Sequence, residues 1–300
     1  MSDTTASLRR KIDGAKDLQS VVRTMKAVAA SSVGQYEKSV LALADYYRTV
    51  ELGLSACFRG IGTGPLTQVP EAQKDSTSIA AVVFGSDQGL VGQFNDVVAD
   101  YTLKDLTQFS GKAKVWAVGE RVHARLTDSG FTLAGLFSVP NSIQGIAPLV
   151  GQILLEIDLN PHQGDVTELH LFYNHPMSGA AYAPMSQRLL PLDEVWRRKL
   201  IDLPWLTNKV PEVMSGQLAT LQALIREYLF ISIFRGCAES LASENASRLA
   251  SMQRAEKNID ELLLELGTTF NRLRQSRIDE ELFDVISGFE ALSQERRKKE

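Results

Sequence analysis

The sequence predicts an α/β protein: a long antiparallel coiled coil of the N- and C-terminal helices, with a Rossmann-like α/β domain inserted between them. Three observations carry this expectation. All ten prolines lie between Pro65 and Pro211, so residues 1–64 and 212–300 are free of the strongest helix breaker. Apolar residues in both flanks recur in alternating steps of three and four. Between the flanks, short β-branched and aromatic runs alternate with helical patterns, the grammar of a largely parallel sheet. The expected division is a helix over 1–60, an α/β domain over 75–195 and a second helix over 209–298.

In the first flank the seam runs through Leu8, Ile12, Ala15, Leu18, Val22, Met25, Ala29, Val33, Tyr36, Val40, Leu43, Tyr47, Val50, Leu54 and Cys57. Its average step is close to the coiled-coil repeat of about 3.5 residues. Ser2 to Thr5 offer N-caps, and GIGTGP at 60–65 ends the pattern. In the middle, IAAVVF (79–84), KVWAV (114–118) and LHLFY (169–173) read as buried strands. FNDVVADYTLKDLTQF, ERVHARLTDSG and the stretch around IAPLVGQILLEIDL read as helices, and AAYAPMSQRLLPL (180–192) offers an antiparallel strand. The last flank repeats the seam from Leu218 and Leu221 through Ala242, Met252, Ile259, Leu262 and Leu266 to Ile278, Leu282, Val285 and Leu292. It closes on ERRKK, whose charges suit a helix C-terminus. A helix of roughly 85 residues is about 130 Å long, more than a compact domain of this size buries, so part of it needs a partner.

The bulk numbers exclude several classes. A net charge of -4 gives no global attraction to nucleic acid, and no nucleic-acid partner is expected. No stretch approaches the run of about 18 to 20 apolar residues that spans a bilayer. The first residues, with Asp3, Asp13 and Asp17, have neither a signal-peptide core nor a transit-peptide composition, which points to a soluble, cytoplasmic bacterial chain. Cys57 and Cys237 read as two buried thiols. His123, His162, His170 and His175 lack metal-ligand spacing, so neither a metal nor a catalytic site is expected.

One turn invites a nucleotide reading. GSDQGLVG (85–92) follows an apolar strand and precedes a helix, the place where many proteins cradle phosphate. Yet no lysine follows its last glycine, and its glycine spacing is four then three, so it matches neither phosphate fingerprint. The glycines read better as a turn that packs a helix against a strand, and no cofactor is expected. Elsewhere, TMKAVAASSVGQ is rich in small residues, which permit close helix approach. Arg272, Arg274, Gln275 and Arg277 form a short polar patch, read either as surface arginines or as charge contacts to an acidic partner.

The segments LRRKIDGAKDLQSVVRTMKAVAAS (8–31), SDQGLVGQFN (86–95) and SENASRLASMQRAEKNIDELLLELGTTFNRLRQSRIDEELFDVISGFEAL (243–292) resemble the three motif regions of the gamma subunit of F-type ATP synthases. The resemblance implies a non-catalytic rotor shaft. The two terminal helices would turn inside a ring of three alpha and three beta subunits, with the α/β domain beside the epsilon subunit and the membrane c-ring. Ion flow, of protons or sodium, would be coupled to ATP synthesis or hydrolysis on the beta subunits. The chain would then be peripheral at the cytoplasmic face of the bacterial inner membrane, bound there only through the complex.

The same resemblance carries roles to positions. Met25 and Lys26 match the family's Met-Lys pair near the acidic loops of the beta subunits. Arg274 and Gln275 match its ring-contacting Arg-Gln pair, and Arg248 matches an arginine that pairs with a beta carboxylate. The chain also departs from the pattern. SSVGQYEKS replaces a lysine-rich stretch after VAA, Asp279 replaces a threonine, and Gln88 replaces an arginine, which marks a divergent branch. Two other readings stay open on the sequence: a nucleotide-binding α/β enzyme with helical extensions, and a coiled-coil scaffold without a rotary role.

Overall fold

The computed structural model describes residues 4–61, 78–109, 112–157, 168–178, 181–205, 207, 209 and 216–297. Two long helices enclose the middle of the chain, α1 (Thr5–Ile61) and α6 (Gln217–Arg297). The Thr4 hydroxyl caps α1 by accepting a hydrogen bond from the Ser7 amide at 3.2 Å. Gly60 and Ile61 of the GIGTGP run are the last residues of α1, and the rest of that run lies outside the described residues, as do Ser2, Asp3, His162 and the last lysines.

Between them come β1 (Ser78–Phe84), α2 (Phe94–Leu106), β2 (Lys112–Val118), α3 (Glu120–Asp128), β3 (Leu133–Phe137), α4 (Ile143–Glu156), β4 (Glu168–Pro176), β5 (Tyr182–Leu190) and α5 (Glu194–Ile201). The five strands form one sheet in the order β3-β2-β1-β4-β5. β1 pairs in parallel with β2 and β4, and β2 with β3, while β5 runs antiparallel to β4. The three expected strands are β1, β2 and β4, and the expected antiparallel strand is β5. Two elements were not expected. In β3 the side chains alternate between half-buried and exposed, and Gly135 interrupts the apolar pattern. In α5 the run EVWRRKLI is polar overall and opens on the Asp193 carboxylate, which accepts from the Trp196 amide at 2.8 Å.

The chain divides into two compact units, Ala29–Ala250 and Met1–Val28 with Ser251–Glu300. In the larger unit the sheet has a helical layer on each face. Ile79, Ala81, Val83, Val115 and Ala117 pack under α2 and α3. Ala80, Val82, Trp116, Leu169, Leu171 and Tyr173 face α4 and the stretches of α1 and α6 that lie in this unit. Such a sheet, buried on both faces, needs continuous apolar strands, and every residue from Ile79 to Phe84 is buried.

In the smaller unit the two helix segments run antiparallel. Along α1, Arg23, Gln19 and Thr5 meet Glu256, Asp260 and Arg277 of α6 in that order, so one number falls as the other rises. Leu8, Ala15 and Met252 are buried here. Along the paired stretch two seam positions differ from expectation: Leu18 and Leu262 are exposed, and Gln19 donates to Asp260 beside the first. Past Arg277, the apolar residues Ile278, Leu282, Phe283, Val285 and Ile286 are exposed.

Candidate functional site

In a doubly wound sheet the ligand crevice opens at the carboxyl ends of the strands, where the strand order reverses. Here that point lies between β1 and β4. The 85–92 turn leaves β1 at this edge, and its residues are spent on the protein itself. The Ser86 amide donates to Asn95 Oδ1 at 2.9 Å, and Asn95 Nδ2 donates back to Ser86 Oγ at 2.9 Å. The Asp87 carboxylate accepts the amides of Glu120 and Val139, tying the turn to the carboxyl ends of β2 and β3. Leu90 holds a left-handed backbone, φ 64°, and exposes its side chain.

Two serines of α6 bond to the elements that border this crevice. Ser243 Oγ donates to the Asn174 carbonyl of β4 at 2.8 Å, and Ser247 Oγ donates to the Val91 carbonyl of the turn at 2.6 Å. Asn174 Nδ2 donates to the Phe94 carbonyl at the start of α2. These serines belong to a buried polar stretch running from Glu239 to Ser247. Glu239 accepts Arg235 Nε at 2.7 Å and lies 2.8 Å from His175 Nδ1. Glu244 accepts Arg248 Nη2 at 2.6 Å, yet its second oxygen and Arg248 Nε have no hydrogen-bond partner among the described residues. Burial pushes the Glu244 carboxyl above its ordinary range, Arg248 pulls it down, and Asp87 adds to the rise.

In the smaller unit the charges range from half-buried to exposed. Met25 and Lys26 are half-buried on α1, and Lys26 Nζ is bonded to Glu256 of α6. Arg274 and Gln275 are exposed on α6. Arg274 lines a shallow groove of about 540 Å³ together with Thr5, Arg9, Phe270 and Arg277. The structure therefore places Met25, Lys26, Arg274 and Gln275 in one unit and Arg248 in the other, where an internal partner already holds it. Both cysteines are buried free thiols. Among the described residues no group of three or more His, Cys, Asp or Glu side chains could hold a metal ion. Nor is any helix among them long and apolar enough to cross a membrane.

The family described as ATP synthase matches residues 4–292, nearly the whole chain. The chain belongs to the ATP synthase family. An ATP synthase gamma chain from Pelotomaculum thermopropionicum is 26% identical over 290 residues, covering 95% of this chain and 98% of its own. A chain from the Tetrahymena thermophila mitochondrial ATP synthase central stalk and c-ring shares the fold with TM-score 0.54 at 21% identity, over 78% of this chain and 99% of that one. A chain from the OSCP/F1/c-ring part of the Euglena gracilis mitochondrial ATP synthase does so with TM-score 0.61 at 18% identity, over 96% of this chain and 94% of that one. The chain is of the gamma type, the central stalk of the ATP synthase rotor, and a non-catalytic subunit.

Within the ATP synthase pattern, three residues of this stalk escaped the sequence reading: Glu244, Glu256 and Ser247. Glu244 stands four residues before Arg248, a spacing that signals an ion pair on any helix. Glu256 lies 230 residues from Lys26, and no local pattern links the two. Ser247 sits in a small-residue stretch whose partner, the Val91 carbonyl, is a backbone group and leaves no mark in the sequence.

Proposed function

We propose that the chain couples ion translocation, of protons or sodium, to ATP synthesis or hydrolysis on partner beta subunits. It does so by turning inside a ring of three alpha and three beta subunits, with the epsilon subunit and the c-ring as its other partners. The parts 1–60 and 209–298 form the shaft and 75–195 the foot. The chain is peripheral, held at the cytoplasmic face of the bacterial inner membrane through the complex. Met25, Lys26, Arg248, Arg274 and Gln275 are its contacts with the ring.

The observation that most supports this reading is the exposed end of α6. Five large apolar side chains from Ile278 to Ile286 face outward just past the exposed Arg274 and Gln275. A helix end of that kind calls for a surrounding apolar sleeve with polar contacts at its rim. Arg248 fits the scheme as a residue that exchanges its Glu244 partner for a beta carboxylate as the shaft turns. Co-expression with alpha and beta subunits is expected to give complexes with one copy of this chain per three of each, read by native mass spectrometry. In that complex, Arg274→Ala with Gln275→Ala is expected to lower ATP-driven ion pumping. Unchanged pumping in the double variant would sink the ring-contact assignment.

A further inference from the structure

Two cations of α1 converge on one carboxylate of α6. Arg23 Nε lies 2.9 Å from Glu256 Oε1, and Lys26 Nζ bonds the other oxygen, so each oxygen holds its own cation. The carboxylate is the most enclosed of the three groups, its side chain 17% exposed against 35% for Lys26 and 57% for Arg23. The neighbouring charges are otherwise engaged. Lys257 pairs with Glu261 at 3.8 Å, and Asp260 takes Gln19. The two cations hold the Glu256 carboxyl below its ordinary range, Lys26 contributing first and Arg23 second.

We infer that Glu256 is a positioning residue: an internal counter-ion that keeps Lys26 and Arg23 on the stalk's own surface and so sets how strongly they grip carboxylates of the surrounding ring. The inference rests on the proposed seating of the chain in that ring. Arg23 and Lys26 stand three residues apart, on one helical face. With Glu256 in place, an outside carboxylate must compete with one already bound. Without it, two bare cations meet each passing acidic loop and hold it longer. A surface pair of this kind, with its cations open to water, adds little to folding, so its consequence lies in the partner contact.

The test uses Glu256→Gln in the full chain, assembled with alpha and beta subunits. ATP hydrolysis at low salt is expected to fall roughly two- to fivefold, the scale set by one exposed ion pair. The loss should disappear as ionic strength rises, because the grip of bare cations is screened. Glu256→Asp is expected to restore turnover, as is adding Arg23→Gln to Glu256→Gln. The melting temperature of the isolated variant should stay close to that of the parent. Unchanged turnover, or a loss that is equal at every salt concentration and persists with Arg23→Gln, overturns the inference. A parent chain that never assembles with alpha and beta subunits instead removes the seating on which the inference depends.

Discussion

At the scale of single residues, the glycines of the 85–92 turn separate into those that the packing requires and those that it does not. A Cβ on Gly85 would stand 2.3 Å from Val122 Cβ, and Val122 is fully buried in α3. Gly119 faces the same turn. Its φ is +116°, and a Cβ there would come within 2.8 Å of the Ser86 backbone. Gly85→Ala and Gly119→Ala are each expected to cost about 2 to 4 kcal/mol of stability in urea unfolding. Gly89→Ala, whose Cβ would meet only the end of Arg121 at 3.8 Å, is expected to stay within about 0.5 kcal/mol. Equal costs at all three sites would contradict this account of the turn. The sequence showed that the turn packs a helix against a strand. It did not show which glycine does so, because Val122 and Ser86 lie 37 and 33 residues from their glycines and come close only through the sheet.

At the scale of elements, legibility followed burial. β1, β2 and β4 lie inside the sheet, so their residues had to be apolar on both faces, and the pattern survives in any window. β3 is an edge strand with one half-buried face, and α5 owes its place to Trp196 against Phe58 and Tyr228 rather than to an apolar stripe. Neither leaves a periodic signal. In α6 the seam was readable at Leu221, Tyr228 and Met252, but Leu218 and Leu262 are exposed. A helix that packs against a sheet along one stretch and against another helix along the next does not keep a single repeat.

The buried polar stretch of α6 entered the sequence reading only as part of the motif that carries Arg248, and it has a consequence for pH. The Glu244 carboxyl is raised in the folded chain, chiefly by burial. The folded state therefore binds this proton more tightly than the unfolded state, whose carboxyl titrates near pH 4.3. Stability from this group falls as pH rises from there through the folded value. Glu244→Gln keeps an oxygen for Arg248 and removes the titration. Its stability relative to the parent is expected to improve in thermal melts as pH rises above the ordinary carboxylate range. A difference that does not change with pH would exclude Glu244 as the source.

At the scale of the whole molecule, composition placed the chain in the soluble globular class, and the motifs placed it in a family. The length of the last helix foretold that part of it would need a partner, but neither composition nor motifs told that this part is the last turns of the seam. Ile278, Leu282 and Val285 fit the seam in sequence, but the partner helix begins at Thr5, opposite Arg277. The isolated chain is therefore expected to self-associate through this end and to bind an apolar dye. Phe283→Ser with Ile286→Ser should reduce both, seen by sedimentation and fluorescence, with helix content unchanged by circular dichroism. A monomeric parent that binds no dye would refute this. The serines of α6 at the carboxyl edge of the sheet have a different bearing. A diffusing guest occupies its seat according to its concentration in the cell, whereas a tethered one faces an effective concentration on the order of millimolar or above. By seating Ser243 and Ser247 there, the chain holds that place with its own covalent structure. Its occupancy is thus independent of the concentration of any free ligand.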